Sequence, residues 1–190
     1  MSVSYLNPQA PAIPSPVGLD KELQRLQQQM ATLPWLQVAY GRAVRAGRTE
    51  NNKTIYYPAV YDGKAEYRDV LPNDNITAHS FFYPTGPAVN PDAASLDMGT
   101  LQLTQGVDLI VHYHLPKVDP SKNYDFGPEL QRDVLRVLDQ AAVPVLRVYT
   151  ATEEVYRGFS LESVKAQQAL RWPFGCFRVQ LEISMLNVLC

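Results

Sequence analysis

The stretch that decides the fold runs Leu101-Gln-Leu-Thr-Gln-Gly-Val-Asp-Leu-Ile-Val-His-Tyr-His-Leu115, then a polar segment, then Glu129-Leu-Gln-Arg-Asp-Val-Leu-Arg-Val-Leu-Asp-Gln140. Its first part is β-branched and aromatic and stops at Pro116, which reads as a strand. Side chains alternate along extended backbone, so Leu109, Val111 and Tyr113 fall on one face and Ile110, His112 and His114 on the other. Lys117 to Tyr124 is a polar loop. Gly127 and Pro128 open a helix, since proline is compatible with a first turn. Leu130, Val134, Leu135, Val137 and Leu138 then give that helix the broad apolar face needed to lie across a sheet.

On the N-terminal side, residues 1–17 hold Pro8, Pro11, Pro14 and Pro16, which disfavour a helix and favour extended geometry. Two readings stand: a flexible tail, or an arm laid on a neighbouring subunit through Tyr5, Leu6 and Ile13. A single domain is expected from 18 to 190. Asp20 is a plausible N-cap for a helix in which Leu19, Leu23, Leu26, Met30 and Leu33 form one stripe, stopped by Pro34. Trp35–Val44 alternates as a strand. Arg42, Arg45 and Arg48 follow near Gly41 and Gly47, either as a solvated hairpin tip or as a cationic patch facing a partner or a nucleic-acid backbone. Thr54–Tyr61 is a return strand, Asp62-Gly63 a tight-turn signal, and Glu66–Leu71 continues the sheet. Ser80-Phe-Phe-Tyr is a short apolar run before a Pro-rich loop at 84–99.

On the C-terminal side, Val143–Val155 reads as a strand and 160–170 as a short helix or an extended connection. Phe177-Arg-Val-Gln-Leu-Glu-Ile-Ser-Met185 alternates for nine residues. Phe177, Val179, Leu181, Ile183 and Met185 point one way, and Arg178, Gln180, Glu182 and Ser184 the other. The fold class expected is α+β, a mostly antiparallel β-meander flanked by two amphipathic helices with an extended N-terminal arm.

The chain has 190 residues, 46% hydrophobic and 19% charged, with a net charge of -2. That composition supports a packed core and gives no electrostatic footprint for nucleic-acid binding as the main activity. The N-terminus lacks the charged and apolar regions of a signal peptide, and no apolar run approaches the ~20 residues of a membrane span. Cys176 and Cys190 have no ligand or disulfide spacing.

His112 and His114 share a strand face, and a metal site would need His79, Asp108 or Asp119 to join them. Nothing in the spacing fixes such a set, so they read as residues of a half-exposed sheet face. Gly-x-Ser-x-Gly and the Gly-rich phosphate loops are absent. Glu153 and Glu154 are consecutive and would face opposite sides of a strand. No catalytic residue, cofactor or metal is expected.

The order of elements resembles the tail-terminator and tail-completion (neck ring) proteins of long-tailed bacteriophages. The resemblance is carried by the helix Leu19–Leu33, the strand Val107–Leu115, the helix Glu129–Gln140 and the strand Phe177–Met185. It implies a virion structural protein, made in the host cytoplasm, forming a homohexameric ring at the head-proximal end of the tail. Its implied partners are further copies of itself, the tail tube protein and neck or connector proteins, with DNA passing through without sequence-specific binding. Under that reading Lys117, Asp119, Lys122 and Tyr124, with Tyr5, Leu6 and Ile13, face a neighbouring subunit or ring. Arg42, Arg45 and Arg48 face the lumen or a partner. The alternatives are a head–tail connector or another tail or baseplate ring protein and, from a different class, a small metal-dependent enzyme using His112, His114 and His79.

Overall fold

The computed structural model describes residues 10–64, 66–72, 75–90, 100–162 and 172–188. In chain order these form α1 (Leu19–Met30), β1 (Val38–Glu50), β2 (Lys53–Tyr61), β3 (Tyr67–Asp69), β4 (Ala78–Val89) and β5 (Thr100–His114). After them come α2 (Leu115–Val118), α3 (Gly127–Gln140), β6 (Val145–Tyr149), α4 (Thr152–Val155) and β7 (Phe174–Val188). The class is α+β, and the strands make one seven-stranded sheet in the order β3-β2-β1-β4-β5-β7-β6.

The sheet is mostly antiparallel, but the expected meander holds only for β1, β2 and β3. β1 lies parallel to β4, through Val38↔His79 and Ala39↔Ser80, and a bulge precedes Arg42↔Phe82. Parallel neighbours need a crossover connection, and here the β2–β3 excursion supplies it. Two antiparallel blocks are thus joined side by side.

One face carries the larger core. Val107, Leu109, Val111 and Tyr113 of β5 and Phe177, Val179, Leu181 and Ile183 of β7 meet Leu23, Leu26 and Met30 of α1 and Leu130, Val134 and Leu138 of α3. Both expected apolar stripes therefore dock on the same side of the sheet. On the opposite face Val38, Tyr40, Val60, Phe81 and Ile110 pack beneath Val155, Tyr156 and Phe159. Full burial of side chains this large, at about 1.5–3 kcal/mol each, is what holds the chain segment after β6 over the sheet.

Four boundaries differ from the sequence reading, each for a local reason. The α1 cap is Gly18, with φ +53 and no side-chain cap bond, and Asp20 sits in the first turn. The helix ends at Met30, where Thr32 and Leu33 donate to Gln29 and Met30 in a tightening turn. Pro84 to Val89 is strand, paired to β5 through Pro84↔Val107, Thr85↔Gly106 and Val89↔Thr104. Beyond Phe82 no further β1 pair forms, and prolines are tolerated on an open edge that needs no N–H there. Finally, β6 stops at Tyr149 and Thr152–Val155 winds into α4, because burying Val155 and Tyr156 requires the chain to turn over the sheet. The N-terminal arm up to residue 9, residues 91–99 of the loop expected at 84–99 and most of the connection at 160–170 lie outside the described residues.

Candidate functional site

His79 and His112 face each other across β4 and β5 in direct register, ring centroids 5.3 Å apart. Both are buried, at 1% and 0% exposure, which corrects the half-exposed sheet face expected for His112. The cause is the cover on the second face, since Tyr40 and Phe81 flank His79 and Phe174 flanks His112. His79 Nε2 lies 3.1 Å from the Val70 carbonyl, so that nitrogen carries the proton. Burial pushes its pKa down to about 4, against a smaller upward pull from that carbonyl. His114 instead ends the strand and accepts a hydrogen bond at Nδ1 from the Lys117 N–H, capping α2. Among the described residues no three His, Cys, Asp or Glu side chains are placed to share a metal ion.

The three arginines lie on β1 itself and not in a loop, and they do not form one patch. Register places Gly47 opposite Tyr56 and Ala46 opposite Tyr57. By alternation Arg45 shares a face with Tyr56, while Arg48 shares the other with Tyr57. The Arg45 guanidinium sits 3.7 Å from the Tyr56 ring centroid, and Arg48 lies 5.4 Å from that of Tyr57. Arg42 forms an ion pair with Asp20 at 3.0 Å and Arg48 one with Glu50 at 2.7 Å. The type of turn at Asn51-Asn52, both with positive φ, matches a two-residue hairpin.

The polar loop is tied to its own helix. Asp119 accepts from the Ser121 N–H at 3.0 Å, which with the Ser121 hydroxyl holds its carboxyl below the usual range. Lys122 is bonded to Glu129 at the start of α3, and the Tyr124 hydroxyl donates to the same carboxylate at 3.3 Å. That contact lowers the Glu129 pKa and raises that of Lys122. The loop is preorganised while Tyr124 stays 51% exposed, so a rigid surface is on offer there. Of the expected arm anchors, Ile13 lines a small recess with Leu23, Gln27 and Tyr61 of its own chain. Tyr5 and Leu6 lie outside the described residues.

The most unusual grouping was not foreseen from the sequence. Arg178, expected on a solvent face, is 4% exposed and donates from Nη1 to Asp108 Oδ2 at 3.1 Å. Its guanidinium also lies 3.6 Å from Glu154 Oε2 and 4.1 Å from the Tyr149 ring centroid. Burial raises the Asp108 pKa, opposed by Arg178 and Arg157. Asp108, Tyr149, Arg157 and Arg178 border a cleft of about 410 Å³ that Tyr83, Thr85 and Gln180 also line. A polar residue inside a single-faced strand pattern is ordinarily solvated; only its pairing with an equally isolated Asp in β5 hints otherwise.

Cys176 sits one strand position before the core residue Phe177, and burial pushes its thiol up to about 12, so it behaves as a small apolar group. Among the described residues no helix is long and apolar enough to cross a membrane. No protein-family model matches the chain, and no curated protein matches it.

Proposed function

We propose that this chain is a bacteriophage virion structural protein, a tail terminator whose copies form a ring, six in number, that caps the tail tube and docks to the neck. The observation that carries this reading is a sheet that outgrows its own core. In β1 the last residue of either apolar cluster is Ala43, yet the β1–β2 hairpin continues through Asn51-Asn52 with Thr49 to Thr54 exposed. β4 likewise runs on through exposed Gly86 to Val89. Ordering backbone costs about 1–2 kcal/mol per residue. Such ribbons recover little of that cost by burial within their own chain, whereas neighbours in a ring would cover them. Repeated head-to-tail contacts that close on themselves make a ring. The resemblance in element order and the preorganised loop at Lys117–Tyr124 point the same way.

In the ring, the Lys117–Tyr124 loop and Ile13 serve subunit or ring contacts. Arg42, Arg45 and Arg48, each already engaged within the chain and divided between the two faces of β1, would meet passing DNA or a partner as separate charges and not as one surface. Negative-stain microscopy and mass photometry of the purified chain test this. Closed rings that bind isolated tail tubes are expected; a strict monomer at high concentration that ignores tubes refutes it.

A further inference from the structure

Several outer edges of the sheet are open among the described residues, those of β1 beyond Arg42 and of β7 beyond Glu182 included, and they are not alike. The edge of β4 beyond Phe82 carries Pro84 and Pro87, and β3 is three residues long with Arg68 and Asp69 exposed. Proline, charge and short length are the usual protections against strand addition. β6 reads Val-Leu-Arg-Val-Tyr, with Val145 38% and Leu146 55% exposed; it carries one charge, Arg147, and no proline, so its protection is partial. A bulge between Val145 and Arg147 ejects Leu146 outward.

We infer that β6 is a self-complementary edge through which two copies of this chain join their sheets about a two-fold axis. The backbone limits the register. Glu182 N–H donates to the Pro144 carbonyl at 3.2 Å, so even-numbered residues of β7 direct their backbone groups toward β6. Arg147 pairs with Gln180 and Tyr149 with Arg178, and both therefore spend their N–H and C=O on β7. Val148, between them, directs its N–H and C=O away from the sheet.

An antiparallel pair requires outward-facing groups to oppose one another, and the two-fold register centred on Val148 meets that condition with the most of β6 paired. Arg147 then falls opposite Tyr149 of the second copy, and the symmetry repeats that contact. A guanidinium over a phenol ring is attractive, and Arg147 already lies 5.8 Å from its own Tyr149 ring centroid. A register centred on Arg147 would set two guanidinium groups directly opposite each other as a non-bonded pair, and like charges so placed repel. Leu146 comes opposite Thr150 and loses part of its exposure. The two-fold axis stands perpendicular to the sheet, so the Asp108–Arg178 clefts of both copies, each walled by Tyr149, open on the same side.

This contact is independent of the ring reading. An isologous pairing joins two copies and stops, so it links two rings, or two free chains, and closes neither.

Val148→Pro tests it, since it deletes an outward N–H and leaves the ladder to β7 intact. Two N–H groups vanish per pair, one from each copy, and association should weaken about tenfold or more by sedimentation velocity over a wide concentration range. Far-UV circular dichroism should match the wild type. Val148→Cys gives a second readout that does not depend on the proline being accepted. Opposed residues at such a position sit ~5.5 Å apart at Cα, within disulfide reach, and mild oxidation should yield a covalent dimer absent from the wild type. A monomeric wild type, unchanged association of Val148→Pro, or no covalent dimer from Val148→Cys would each overturn the inference. Ring formation is scored by microscopy on the same samples: rings that persist in Val148→Pro after pairing is lost uphold the contact, and a ringless chain whose dimer is lost on the same substitution does too.

Discussion

Lowering the pH from 7 to 4 should remove about 3 kcal/mol of stability through one side chain, His79. Its ring is 1% exposed, stacked beside Phe81 and His112, and bonded through Nε2 to the Val70 carbonyl. Burial holds its pKa near 4 against an ordinary 6.5. Between those values the unfolded chain binds a proton that the folded chain refuses. The folded state is therefore favoured in full above pH 6.5 and loses that advantage as pH falls to 4. The slope approaches 1.4 kcal/mol per pH unit, and integrating it over the interval gives about 3 kcal/mol. Urea unfolding at closely spaced pH values, for the wild type and for His79→Gln, isolates the effect. Glutamine keeps a donor for the Val70 carbonyl but does not titrate. The difference between the two curves should be flat above pH 7 and fall between 6.5 and 4. A difference independent of pH would show that His79 accepts a proton in the folded state, and the account of its burial would be wrong.

Asp108→Ala leaves the Arg178 guanidinium buried without its principal acceptor, and should cost about 3–5 kcal/mol by urea unfolding. Asp108→Asn keeps an acceptor and should cost clearly less; equal costs would mean the pair is not acting as one. A Cβ on Gly175 would lie 2.5 Å from Tyr113 Cζ, so Gly175→Ala should destabilise by about 1–3 kcal/mol. Tyr113→Ala in that background should then cost less than it does alone, as a double-mutant cycle would register. Deleting Asp119 to Lys122 removes a loop whose bonds are to itself, to the Leu115 carbonyl of α2 and to Glu129. Thermal unfolding should change little while assembly fails, and intact assembly would exclude the loop as a contact.

The sequence by itself determined the elements whose signal is local. The stripes of α1 and α3, the alternation of β5 and β7 and the turn at Asp62-Gly63 all appear where expected, because period and turn chemistry act over a few residues. It also assigned His112 and Arg178 to faces correctly, yet not their surroundings. Alternation says which side chains share a face; what covers that face depends on distant residues. Val155, Tyr156 and Phe159, brought over the sheet by α4, convert the expected solvent side of β5 and β7 into a second core. The parallel placing of β1 beside β4 and the split of Arg45 from Arg48 are likewise non-local, set by register across strands. The open edge of β6 belongs to the same class: its residues were legible as a strand, but only its place at the end of the sheet leaves Val148 with no strand on its outer side among the described residues.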